Sequence, residues 1–151
     1  EGSSVFSSGD LVFPKGDSLS AAVPKPVQES YAEAARVKNL APNAYAVMIR
    51  RSLEALCDDR GVAKGSLHNR LAELANRGEI PAKLSELTSI LRRLGNAGAH
   101  NSGTRVTVPM TWSMDRFFRA IIEYVYVAPF ELGRFKESMQ KIEEEPFDVD
   151  P

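Results

Sequence analysis

The 151-residue chain is poor in the side chains that staple or metallate a small protein, with one cysteine, Cys57, and two histidines, His68 and His100. A single thiol excludes an internal disulfide framework and every multi-cysteine zinc site, and it carries no sign of an oxidising compartment. Long apolar runs are missing too: none approaches the ~18 residues of a membrane helix, and the first residues lack the basic and apolar blocks of a signal peptide. The expectation is a cytoplasmic chain with no membrane partner, no metal and no cofactor. Net charge of one sign is also lacking, since 19 Lys/Arg face 20 Asp/Glu and leave −1. With 43% hydrophobic and 26% charged residues the composition suits one compact domain. A chain this long buries roughly two-thirds of its unfolded surface, enough for one core without staples.

The balance hides a segregation. From Arg36 to Arg119 there are 14 Lys/Arg and 7 Asp/Glu, a surplus of +7, while the two flanks carry 5 basic and 13 acidic residues, a deficit of −8. A basic middle between acidic ends keeps a polyanionic partner open although the overall pI is near 6.2. The same charges also suit solvated helix faces.

Helical periods dominate the chain. Residues 1–25, rich in Ser, Gly and Pro, read as an irregular tail that packs locally through Val5, Phe6 and Leu11 to Phe13. Pro26 opens a first helix carrying Val27, Tyr31, Ala34 and Ala35 and ending near Leu40. Pro42 opens a second, whose Tyr45, Ile49, Leu53 and Leu56 form an apolar stripe bordered by Cys57, a small buried hydrophobe. On it, Arg50 and Glu54 stand four apart as a surface ion pair beside Arg51. Ser66 is a good N-cap for a short helix with Leu67, Leu71 and Leu74, which Gly78 stops. His68 falls in its first turn, expected as an exposed or capping side chain rather than a ligand. Pro81 begins a fourth helix through Leu84, Leu87, Leu91 and Leu94. After a turn-prone stretch in which Arg105 to Val108 suits extended chain, a fifth helix runs from about Trp112 to Val127. Phe117, Ile121 and Tyr124 adjoin Phe118, Ile122 and Val125 there, an arc wide enough for central burial or a partner chain. Pro129 interrupts it, and Leu132, Phe135, Met139 and Ile142 mark a last amphipathic helix before an acidic tail at 143–151. No strand alternation or internal repeat intervenes, so the class is all-α, a single bundle of about five to six helices over 26–142.

The string Leu91-Arg92-Arg93-Leu94-Gly95-Asn96-Ala97-Gly98-Ala99-His100 carries the chemistry. At 100° per residue from Leu84, a continuing helix puts Arg92, Asn96 and His100 at about 80°, 120° and 160°, one edge bearing a guanidinium, an amide and an imidazole. Arg93, at about 180°, flanks them. Guanidinium matches phosphate, and imidazole can exchange a proton at neutral pH. Together they suit binding a phosphodiester, activating a ribose 2′-hydroxyl and stabilising the transition state without metal. The competing reading is a helix-terminal His that caps carbonyls while an arginine of the string pairs with a carboxylate such as Glu54.

Leu91-Arg92-x-x-Gly95-Asn96-x-x-Ala99-His100 resembles the signature string of the bacterial domain of unknown function family 4145. Val23-Pro24-x-x-Val27, Tyr31-x-Glu33-Ala34, Arg50-Arg51-x-Leu53-Glu54, Gly78-x-Ile80-Pro81 and Tyr126-x-x-Pro129 recur in matching order, so the resemblance covers about residues 11–132. It implies kinship with the HEPN-type (higher eukaryote and prokaryote nucleotide-binding) helical domains: a helical bundle, frequent homodimerisation and an Arg-x(4–6)-His motif. Active members are metal-independent endoribonucleases with a composite site across the dimer; others are binding or scaffolding modules attached to restriction or defence proteins. Arg93 to His100, with six intervening residues, fits the motif, whereas Arg92 aligns with the 4145-type string; Leu94 departs from the polar residue that usually follows the motif Arg. The implied site is therefore Arg92, Arg93, Asn96 and His100, supported by Arg50, Arg51 and Glu54. The implied partners are a second copy and RNA or a nucleotide; the charge of the acidic C-terminal segment separately suits docking of a basic protein partner in a non-catalytic module.

Overall fold

The computed structural model describes residues 18–99 and 105–145, with the backbone alone for 95–99. Among the described residues the fold is all-helical: α1 (Lys25–Val37), α2 (Pro42–Asp59), α3 (Leu67–Asn76), a 3-10 turn (Ala82–Glu86), α4 (Leu87–Ala99), α5 (Val108–Ile122), a π-helical segment (Glu123–Val127) and α6 (Ala128–Glu144). No helix in this part of the chain is long and apolar enough to cross a membrane.

Local chemistry sets the boundaries. Proline occupies the first turn of α1, α2, α5 and α6, where its missing N–H costs no helical bond. At α3 the Ser66 hydroxyl accepts from the Asn69 N–H at 3.2 Å. Gly78, at φ +75°, turns the chain after that helix, in a conformation that a β-carbon would strain.

The centre of the bundle is α2, which touches α1, α3, α4 and α5. Tyr45, Ala46, Ile49, Ser52, Leu53, Leu56 and Cys57 are all fully buried, an arc far wider than one stripe. Ile49, Leu53 and Leu56 each contribute about 1.5–3 kcal/mol of burial. The helix with the wide apolar arc, α5, read as centrally buried or shared with a partner chain, is two-sided: Phe118, Ile121 and Ile122 are buried, while Phe117 and, just beyond its end, Tyr124 are exposed.

Ionic and polar ties hold the helices in register. On α5, Asp115 accepts from the hydroxyls of Tyr31 on α1 and Tyr45 on α2, and from Arg119 Nε at 3.1 Å. Tyr31 stacks on Phe118 with ring centroids 5.1 Å apart. Tyr126 donates to Asp59 at 2.6 Å and so fastens the π-helical segment to the end of α2.

Three boundaries differ from expectation. The helix expected to start at Pro81 is first a 3-10 turn, in which the Ser85 hydroxyl donates to the Ala82 carbonyl at 2.6 Å. That local bond favours the tighter i to i+3 pitch. Val108, expected as extended, opens α5, with Pro109 in its first turn. Pro129 does not interrupt the helix. In the π-helical segment just before it the Ala128 N–H reaches the Glu123 carbonyl five residues back, Pro129 falls in the first turn of the next helix, and the backbone runs on into α6. α6 also extends through Glu143 and Glu144, assigned above to the acidic tail. The expected packing of residues 1–17 and the tail beyond Glu145 lie outside the described residues.

Candidate functional site

Burial of two leucine-type faces decides where the candidate arginines stand. Ile49 on α2 and Leu91 on α4 are buried, so Arg50 and Arg92, one residue further round each helix, come to the rim of the core. There they line one cleft of about 230 Å³, together with Ser66, Leu67, His68 and Thr88. Residues 42 apart in the chain are thus brought to a single concavity by the packing of α4 on α2.

The third wall is the start of α3, and Arg70 holds it in place. Its guanidinium is almost fully buried and donates to the Val62 carbonyl, to the Glu54 carbonyl at 3.3 Å and to the Asp58 carboxylate. These bonds tie the α2–α3 loop to the last turns of α2, which fixes Ser66 and His68 beside Arg50.

Electrostatically the cleft is positive. Arg50 meets Glu54 through Nε at 3.4 Å, a four-apart pair in which both side chains are more than a third exposed. Such a pair is worth only tenths of a kcal/mol and leaves the terminal guanidinium nitrogens able to serve another acceptor. Arg92 makes no ion pair among the described residues, which excludes its pairing with Glu54 there. Two guanidinium groups against one carboxylate suit an anion with several oxygens, a phosphate above all.

His68 brings the remaining function. Its Nδ1 lies 2.9 Å from Thr88 Oγ1, and Thr88 Oγ1 donates its only proton to the Ser85 carbonyl at 2.6 Å. Thr88 then accepts from His68, which places a proton on Nδ1 and, in the neutral imidazole, leaves the lone pair on Nε2. His68 is exposed, as its position in the first turn of α3 implies, but it is a wall of the cleft and not a cap.

The other site candidates take different places. Arg93 and Arg51 are exposed and do not line the cleft. Asn96 falls within α4, but its side chain, like the whole of His100, lies outside the described residues. Cys57 is buried, and burial pushes its thiol up to about 11, which rules out a thiolate nucleophile at neutral pH. Sequence reasoning had no reason to join His68 and Thr88 to Arg92. The available signal was a histidine two residues after a serine cap, with no spacing that links it to α4.

A second surface is apolar. Every residue of α6 is exposed, and Leu132, Phe135, Met139 and Ile142 form a stripe at helical spacing with no covering element among the described residues. Leu87, Ile90, Leu94, Met110, Met114 and Phe117 line a separate groove of about 320 Å³ between α4 and α5.

A family model described as a domain of unknown function, DUF4145, matches residues 32–144. No curated protein and no solved structure matches the chain.

Proposed function

Since this chain belongs to the DUF4145 family, we propose that it is a HEPN-like domain that binds or cleaves RNA in a bacterial defence or stress setting. The observation that carries this reading is the meeting of Arg50 and Arg92 in one positive cleft. Arg92 is the arginine of the family-like string, and a guanidinium pair from two helices suits the oxygens of a phosphodiester backbone.

In the cleaving form, Arg92 or Arg93 holds the scissile phosphate and Asn96 orients a neighbouring group. His100 takes the 2′-hydroxyl proton as general base and returns one to the leaving 5′-oxygen as general acid. The 2′-oxygen attacks phosphorus and the 5′-oxygen leaves, which gives a 2′,3′-cyclic phosphate without metal. Two copies facing one another would pair their motifs in a composite site. Incubation of RNA with the protein in chelator tests this form directly. Cyclic phosphate ends that disappear with His100→Ala support it, and cleavage by that variant at the wild-type rate contradicts it.

A second reading has its own observation. The apolar stripe of α6, uncovered among the described residues, is the sort of surface that marks a protein contact, and it favours a non-catalytic interaction or dimerisation module associated with restriction or defence proteins. Under that reading Arg92, Asn96 and His100 tie the last helices together, and the acidic C-terminal segment meets a basic partner.

A further inference from the structure

We propose that the α2–α3–α4 cleft distinguishes RNA from DNA, with Arg50 and Arg92 holding a backbone phosphate while His68 Nε2 accepts a hydrogen bond from the adjacent ribose 2′-hydroxyl. The inference deepens the RNA-binding reading and rests on it. Its own support is the chain of hydrogen bonds behind the imidazole.

Thr88 is buried, and its hydroxyl is committed to the Ser85 carbonyl, so the Nδ1–H of His68 is drawn inward and Nε2 is presented as an acceptor. The two arginines can only donate. A cleft with donors on one side and a lone pair on the other selects a ligand that carries acceptor oxygens next to a hydroxyl donor. A phosphate beside a ribose has both, and a deoxyribose lacks the hydroxyl by which proteins tell the two nucleic acids apart. Size agrees: about 230 Å³ is below the ~300–1,000 Å³ of drug-sized sites and suits one sugar-phosphate unit of a single strand. Thr88 acts through His68 and is a positioning residue.

The test is equilibrium binding of a short single-stranded RNA, its 2′-O-methyl counterpart and DNA of the same sequence, at one moderate salt concentration. Wild-type protein is expected to prefer RNA over both analogues by about three- to tenfold, the worth of one hydrogen bond. His68→Ala and Thr88→Val should each bring the RNA affinity down toward that of DNA. Thr88→Ser, which keeps the hydroxyl, should retain the preference. Thermal melting of each variant guards against misfolding, since a merely structural role for Thr88 lowers stability without moving the RNA-to-DNA ratio. Equal affinity of wild-type protein for RNA and DNA, with Arg92 still required, overturns the role of His68 but leaves the RNA-binding reading standing. Absence of binding to any strand overturns both.

Discussion

Arg50 on α2 and Arg92 on α4 reach one cleft, yet among the described residues only Arg50 is met by a carboxylate, Glu54. That asymmetry makes Arg92 the stronger determinant of anion binding. Arg92→Ala should weaken binding of single-stranded RNA more than Arg50→Ala does, and Glu54→Gln should strengthen it by removing the competing charge. Titration of the three variants against one oligonucleotide checks the order. Weaker binding by Glu54→Gln would contradict the electrostatic account.

Arg70 contributes to stability and not to the ligand. Its removal takes the side-chain donor from the Val62 carbonyl of the α2–α3 connection and from the Asp58 carboxylate at the end of α2, so Arg70→Met is expected to cost about 2 kcal/mol in chemical denaturation. Loosening of the loop also displaces His68. The RNA-to-DNA preference should therefore fall with stability in this variant, whereas it falls alone in His68→Ala.

The buried tyrosines set an alkaline limit. Burial is the main cause that raises the phenols of Tyr31, Tyr45 and Tyr126 well above their ordinary value, with Asp115 or Asp59 adding to it. The folded chain then keeps these protons above pH 10 while the unfolded chain releases them. Stability is full below about pH 10 and falls as pH rises further, by about 1.4 kcal/mol per pH unit for each phenol held neutral. Melting temperatures between pH 8 and 11.5 should show the decline, and Tyr45→Phe should make it shallower.

Cys57 should resist alkylation. With its thiol buried and pushed up to about 11, iodoacetamide at pH 8 is expected to modify the unfolded chain far faster than the native one. Equal rates would show that α2 opens readily, against its central place in the core.

The α6 stripe predicts self-association or partner binding that does not depend on the cleft. Phe135 is 65% exposed, so Phe135→Glu should leave the melting temperature within a degree or two, roughly the effect of a surface change. If the stripe is a contact between copies, the same substitution lowers the sedimentation coefficient of wild-type dimers to that of a monomer. A monomeric wild type at all concentrations contradicts dimerisation through this helix.

Much of the architecture was legible because local signals agreed with the global packing. Pro26 and Pro42 start helices, Ser66 caps α3 and Gly78 turns the chain after it, each at or next to the expected place. The apolar stripes of α1 to α4 are buried or half-buried. The misread boundaries are those where a local rule met an unusual helical pitch. Ser85 bonds the Ala82 carbonyl and tightens a turn into a 3-10 form, and a π-helical segment carries the chain through Pro129. Periodicity at 3.6 residues detects neither.

Part of the candidate cleft was legible. Arg92, Arg50 and Glu54 stood out by charge and spacing, and the structure puts both arginines in one cleft. His68 and Thr88 did not stand out, because a cleft wall assembled from α3 and α4 depends on how two helices pack and leaves no mark in the spacing of either. The wide apolar arc of the fifth helix was legible as a surplus. Which residues are surplus, Phe117 and Tyr124 on the outer side, follows only from the packing of α5 against α2.

The central claim is that the Arg50–Arg92 cleft holds the phosphate backbone of RNA. The salt dependence of binding measures it most directly, since each phosphate contact on a single strand contributes about 0.7 to the slope of log affinity against log salt concentration. The account predicts that Arg50→Ala and Arg92→Ala each lower that slope by roughly one contact, and that the double variant lowers it by about two. Slopes unchanged from wild type in both single variants would contradict it.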